Sequence, residues 1–338
     1  MPLHVVQIAN SSGRRVAIVE EPQLILLGDA SSLYEFAQAA ITRGESLSKL
    51  IYDQVSDVRI LYDDVYDASS EWKLLPPIDV PGNPHRTLVT GTGLTHLGSA
   101  RDRQAMHSAA TAEQEAQMTD SMRMFEWGRQ QGRPAADCIG IAPEWFYKGD
   151  GSVLQRPFAP LVIPGYAEDG GEEAEVAVVY VVGEDGIPYR IGMAAGNEFS
   201  DHLFERRNYL NLAGSKLRMC SIGPELVIDP NFEDVPGTVR ILRGNSVLWT
   251  KNIRTGESNM CHSLANIEHH HFKFAGHTQP GLLHVHFLGA DTLSFGEGVR
   301  LEAGDSMEVH FEGFGRALRN VIVAEPKLSK PVRVRTLS

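Results

Sequence analysis

The chain is short of cysteine, of positive charge and of long apolar runs, and each shortage removes a class of function. Its three cysteines, Cys138, Cys220 and Cys261, are spread over 338 residues. An odd, sparse set makes no disulfide framework, and the absence of a CxxC pair removes zinc knuckles and redox couples. They read as buried structural thiols. The formal net charge is −12, which opposes general affinity for nucleic acid or anionic membrane, since both reward basic surface. No apolar run approaches a membrane span, and MPLHVVQIANSSGRR lacks the basic-then-apolar order of a signal peptide. A cytoplasmic protein with no nucleic-acid and no membrane partner is expected. The glycines of VTGTGLTHLG miss the GxGxxG spacing of a dinucleotide loop, and Ser99, Ser200 and Ser215 miss the GxSxG elbow.

What is present is an ordinary globular composition, 42% hydrophobic and 22% charged, in a chain long enough to bury a sizeable core. The spacing of Leu33, Phe36, Ala37 and Ala40 predicts a helix over Ser31–Thr42, capped by Ser31 or Ser32. Pro76–Pro84, PPIDVPGNP, reads as a linker, which sets off residues 1–80 as a small N-terminal α/β domain. Residues 86–338 then form a larger, strand-rich α+β domain. Within it, the Gln- and Ala-rich stretch Arg101–Gln131 has helical spacing at Met118, Met122 and Phe125 and reads as exposed helix, with 100–131 a candidate lid. From Ala174 the chain alternates strands and turns. AEVAVVYVV, IPYRIGMAAG, the hairpin GTVRILRGNSVLWTKNI, LLHVHFLGA and SMEVHFEGFG are the clearest strands, and Asn266–Phe274 a short helical bridge.

Glu173 and Glu175 flank Ala174 where a strand begins, so their side chains fall on one face. Adjacent anions repel unless a proton or a cation lies between them. With Glu198 after the next strand, they supply the hard oxygen set that Mg²⁺, Mn²⁺ or Ca²⁺ prefers. GGEEAE reads equally as a solvated turn. Lys216 has the same two readings, a solvated cation or a base beside a metal and an anionic substrate. The pair His284 and His286, with His269, His270 and His271 nearby, could build a zinc site. A solvated histidine run is the simpler reading, and His96 and His286 stand instead as substrate-cleft candidates.

EAEVAVVYVV, AAGNEFSDH and SKLRMCSIGPEL, in that order, resemble the core motifs of the fumarylacetoacetate hydrolase superfamily. WFYKG at 145–149 and GLTHLGSARD at 93–102 resemble its upstream segments, and LEAGDSMEVHFEGFGRALRN resembles its closing one. The match runs over residues 86 to 325. It implies a mixed β-sandwich or roll, a divalent metal, usually Mg²⁺, on Glu173, Glu175 and Glu198, and a 2-oxo acid or acylpyruvate substrate. Lys216, with Asp102 and Ser99 of the lid motif, is then a catalytic candidate, and Lys148, His96, Asn197, Ser200 and His286 are substrate-binding candidates. A homodimer or homotetramer is implied as well.

Four departures bear on the reaction. Glu198 replaces the family's Asp, His202 its following Arg, and the stretch 286–289 its Thr-Gly-Thr-Pro loop. The lid positions that carry the water-activating His and Glu in hydrolases fall on Ser99 and Asp102. A serine cannot take a proton at neutral pH as an imidazole does. Metal chelation and proton transfer remain, which is what eliminating water from a 3-deoxy-2-oxo acid requires. The variant motifs resemble the sugar-acid branch, with its 2-keto-3-deoxypentonate dehydratases of the L-arabinonate and D-xylonate routes. A hydro-lyase forming 2-oxoglutarate semialdehyde is therefore expected. The alternatives are a C–C hydrolase or decarboxylase of acylpyruvates, and a weakly catalytic sugar-acid-binding protein.

Overall fold

The computed structural model describes residues 2–107 and 118–337. β1 (Leu3–Asn10), β2 (Gly13–Glu20) and β3 (Gln23–Leu27) form an antiparallel meander, extended by β4 (Val55–Leu61) and the short β5 (Lys73–Leu74). After the proline stretch come β6 (Thr87–Gly91), β7 (Phe146–Asp150), β8 (Leu154–Gln155) and β9 (Leu161–Ile163). The centre is β10 (Ala174–Val182) with β11 (Pro188–Asn197), followed by β12 (Cys220–Ile222) and β13 (Leu226–Ile228). β14 (Val235–Arg243), β15 (Ser246–Thr255), β16 (Leu283–Phe287), β17 (Ser306–Phe311) and β18 (Leu318–Ala324) complete the strands.

A 13-stranded sheet runs β4-β3-β2-β1-β13-β11-β10-β16-β6-β7, with β5 on β1, β12 on β11 and β8 on β12 off this path, and a five-stranded one runs β15-β14-β17-β18-β9. The strand-rich α+β fold expected from the sequence is the one found. The N-terminal strands on the near side of the proline linker continue the large sheet, because β1 pairs antiparallel with β13, Leu3 opposite Ile228.

β10 reads as an unbroken apolar run because both its faces are covered. Ala177, Val179 and Val181 point into one core, with Val5, Val16, Leu33 and Val285. Val176, Val178 and Tyr180 point into the other, with Val239, Ile241, Met307 and Val309 of the second sheet. The two sheets thus stack on a shared central strand, and the site lies at its N-terminal end.

Local signals hold where they are strongest. The first helix spans Leu33–Arg43, with Ser32 Oγ accepting from Tyr34 N at 3.2 Å and Gly44 closing it at φ 63°. The β14–β15 hairpin turns at Gly244, φ 58°. Two expectations fail. Cys138 is exposed while Cys220 and Cys261 are buried. The helix Asp120–Gln131 starts after Met118, because Thr119 caps it through Met122 N. Residues 108–117 of the candidate lid lie outside the described residues. No described helix is long and apolar enough to cross a membrane.

Candidate metal centre and active site

Register brings the carboxylates together. Ala174 pairs with Asn197 across β10 and β11, so Glu173 and Glu198 face each other just beyond the ladder. Glu198 N donates to Glu173 O at 2.9 Å, and the bridge Gly171–Ser200 continues the pairing. Glu175 lies one residue into β10. Each of the three offers an oxygen within 4.8 Å of the others', and all three side chains are buried. Among the described residues this is the only such group of potential ligands.

The buried charges are compensated unevenly. Lys216 Nζ, at the end of the short helix Leu212–Lys216, donates to Glu173 Oε1 at 2.5 Å, to Glu198 Oε2, and to Ser200 Oγ at 3.0 Å. Its ammonium also sits 4.7 Å from the centre of the Phe146 ring on β7. Lys148, the next residue but one, reaches Glu198 Oε1 at 2.6 Å and donates to Phe199 O and Lys216 O. His202 Nε2 lies 3.1 Å from Glu173 Oε1. It stands where the resemblance expects an arginine, and it keeps a nitrogen donor there.

Burial raises the Glu173 carboxyl, but Lys216 and His202 outweigh it and hold that carboxyl well below the usual range. Glu175 is the opposite case. Burial first, then the charges of Glu198 and Glu173, pushes it well above the usual range, and its own bond is from Gly289 N at 2.6 Å. Three carboxylates with one member left without a cation are what a divalent ion would complete. The donor set is all oxygen, which suits a hard metal.

The other candidates divide. Ser200 belongs to the cluster, donating to Glu198 Oε2 at 3.0 Å. Asn197 buttresses it, its Oδ1 accepting from Glu173 N and Phe199 N and its amide facing the Met307 sulfur. His96 is held between Thr95 and Thr255, and His286 between Thr90 and Thr92. Burial pushes these imidazoles down to about 4 and about 3, so both are neutral. Ser99 Oγ donates to His96 O, just ahead of the helix Leu97–His107 that carries Ser99, and Asp102 accepts from Leu293 N at 3.2 Å. Neither touches the carboxylates.

Sequence reasoning missed a buried network beside the site. Arg103 reaches Glu144 Oε1 and Glu205 Oε1, each at 2.9 Å, and Tyr209 Oη donates to Glu144 Oε2 at 2.8 Å. Both Arg103 and Glu144 adjoin quoted motifs, GLTHLGSARD and WFYKG, but nothing in a single sequence pairs them. The histidine run also differs from expectation. His270 and His271 are buried in the helix Leu264–Phe272, and His271 Nε2 lies 2.9 Å from His284 Nδ1. A hydrogen-bonded pair has no room for a shared zinc ion between its nitrogens.

No protein-family model matches the chain, and no curated protein does. Solved structures do match. An apo 2-keto-3-deoxy-D-arabinonate dehydratase superposes with a TM-score of 0.69 at 17% identity, covering 96% of this chain and all, 100%, of that one. The chain has this dehydratase's fold. The same enzyme complexed with magnesium and 2,5-dioxopentanoate matches equally, TM-score 0.69 at 17% identity over the same shares of both chains. A 2-hydroxyhepta-2,4-diene-1,7-dioate isomerase from Mycobacterium marinum matches with a TM-score of 0.58 at 15% identity, again over 96% and 100%. The fold implied by the sequence motifs is thus borne out, on neighbours that are enzymes.

Proposed function

We propose that this chain is a Mg²⁺-dependent hydro-lyase of the fumarylacetoacetate hydrolase superfamily, acting on 2-keto-3-deoxy sugar acids. A 2-keto-3-deoxypentonate converted to 2-oxoglutarate semialdehyde is the specific reaction. The observation that carries the reading is the buried Glu173–Glu175–Glu198 cluster bridged by Lys216. It is supported by a neighbour of the same fold complexed with magnesium and 2,5-dioxopentanoate, which is this product.

Glu173, Glu175 and Glu198 would hold the metal. The chemistry such an ion supplies when bound is Lewis acidity at the 2-oxo group, which acidifies the C3 protons. Elimination then needs a group for the C3 proton and an acid for the C4 hydroxide, for a net loss of one water. Lys216, an ammonium held charged by two carboxylates and donating to Ser200 as well, is the candidate to hold the enolate charge, and it can take the C3 proton only after giving one of its own to Glu173 or Glu198. Asp102 is the candidate acid, since burial raises its carboxyl, the direction a proton donor needs. The lid positions Ser99 and Asp102 hold no imidazole, which favours dehydration over water-driven C–C cleavage.

The deciding experiment incubates the purified protein and Mg²⁺ with 2-keto-3-deoxypentonates and, separately, with acylpyruvates, and identifies products by NMR. 2-Oxoglutarate semialdehyde from the former supports the reading. Cleavage of acylpyruvates alone would replace it with the hydrolase. Lys216→Ala should keep Mg²⁺ binding, lose about 10²- to 10⁴-fold in turnover, and slow C3 deuterium exchange. A variant with full turnover and exchange would return Lys216 to a structural role.

A further inference from the structure

The chain beyond β18 carries a strand pattern with no strand to pair with. Glu325 N donates to Ile163 O and Leu328 N to Gly165 O, both at 3.0 Å, so the backbone follows β9 as far as Leu328. From Ser329 to Leu337 the segment is exposed coil, and among the described residues no hydrogen bond or ion pair holds it. Val332 and Val334 are 90% and 93% exposed. Yet Pro-Val-Arg-Val-Arg-Thr-Leu, 331–337, alternates β-branched and basic residues. In an extended conformation the valines fall on one face and the arginines on the other. Such a segment gains its hydrogen bonds and covers its valines only against another strand.

Its charge says what kind of surface receives it. Lys327, Lys330, Arg333 and Arg335 carry the only charges from 326 to 337, in a chain whose net charge is −12. A groove of about 620 Å³ has Asp229, Glu233 and Glu257 around apolar Leu47, Met193 and Phe232. Its one cation, Arg190, is already tied to Glu268 at 2.6 Å. β11 also offers a free edge there. β13 pairs with it only at Met193 and β12 only at Gly196 and Asn197, so Pro188–Arg190 pair with β10 alone and Ile191 sits at the register shift of that pairing.

We propose that residues 329–337 are an exchange arm that seats in the acidic groove along β11 of a second copy of this chain, adding a strand to its sheet. Reciprocal exchange gives a closed twofold dimer in which both arms and both grooves are used. The inference is independent of the reaction.

Light scattering at micromolar concentration tests it on the full chain, on a chain ending at Leu328, and on Val332→Asp/Val334→Asp. The full chain is expected at dimer mass, and both variants at monomer mass with unchanged far-UV circular dichroism. Arg333→Glu/Arg335→Glu should also dissociate, and adding Glu233→Lys should restore dimer. A monomeric full chain, which includes the case of an arm folded onto its own body, overturns the proposal. So does a dimer that survives loss of the arm.

Discussion

Lys148 and Lys216 look alike in sequence and differ in what they can do. Lys148 spends its ammonium on Glu198 and two backbone carbonyls, so its contacts brace the cluster. Lys216 bonds only to side chains of the cluster itself. Removing Lys148 leaves Glu198 buried with one cation fewer, and breaking a buried pair from one side costs about 3–5 kcal/mol. Lys148→Met should therefore lower the urea midpoint of the metal-free protein by a corresponding amount. An unchanged midpoint would show that Lys148 is not a support. The lysines and carboxylates were legible in the sequence because their motifs are ordered. Which lysine faces solvent, substrate or a partner was not, because that depends on contacts between β7, β11 and the helix Leu212–Lys216.

Among the elements, β6 and β7 set the floor of the site. Gly91 pairs with Phe146, and a Cβ at Gly91 would lie 2.3 Å from that ring, which itself lies under Lys216. Gly91→Ala should displace Phe146, lower stability by about 1–3 kcal/mol as overpacking does, and reduce turnover through Lys216. Denaturant midpoints and kcat measured on the same sample check it, and a variant unchanged in both would contradict it. β10, β11 and the β14–β15 hairpin could be read directly, since alternation or an apolar run with a glycine turn is local. The histidine run could not. Three consecutive histidines look solvated until β16 packs beside them and His284 meets His271.

At the scale of the whole molecule, pairing such as β1 with β13 joins residues over two hundred positions apart, and no local pattern announces it. The same nonlocal packing buries several neutral histidines and so sets a response to acid. His96 titrates at about 4 and His286 at about 3, against about 6.5 in the unfolded chain. Their contribution is present above pH 6.5 and is lost as pH falls toward the folded values, because the unfolded chain takes up the protons first. His96→Gln/His286→Gln should bind about two fewer protons on unfolding between those limits, a difference of about 1.4 kcal/mol per pH unit for each. Equal pH slopes for the two proteins would exclude this.

A ligand that binds only the folded chain stabilises all of it, so the metal claim also has a whole-molecule readout. The most direct measurement is calorimetric titration of Mg²⁺ into metal-free wild type and Glu175→Gln, with Tm recorded on the same samples. Wild type should bind Mg²⁺ and gain Tm, while Glu175→Gln, lacking the carboxylate that has no cation of its own, should lose most of both. Unchanged Mg²⁺ affinity in Glu175→Gln would contradict the assignment of these three carboxylates as the metal centre.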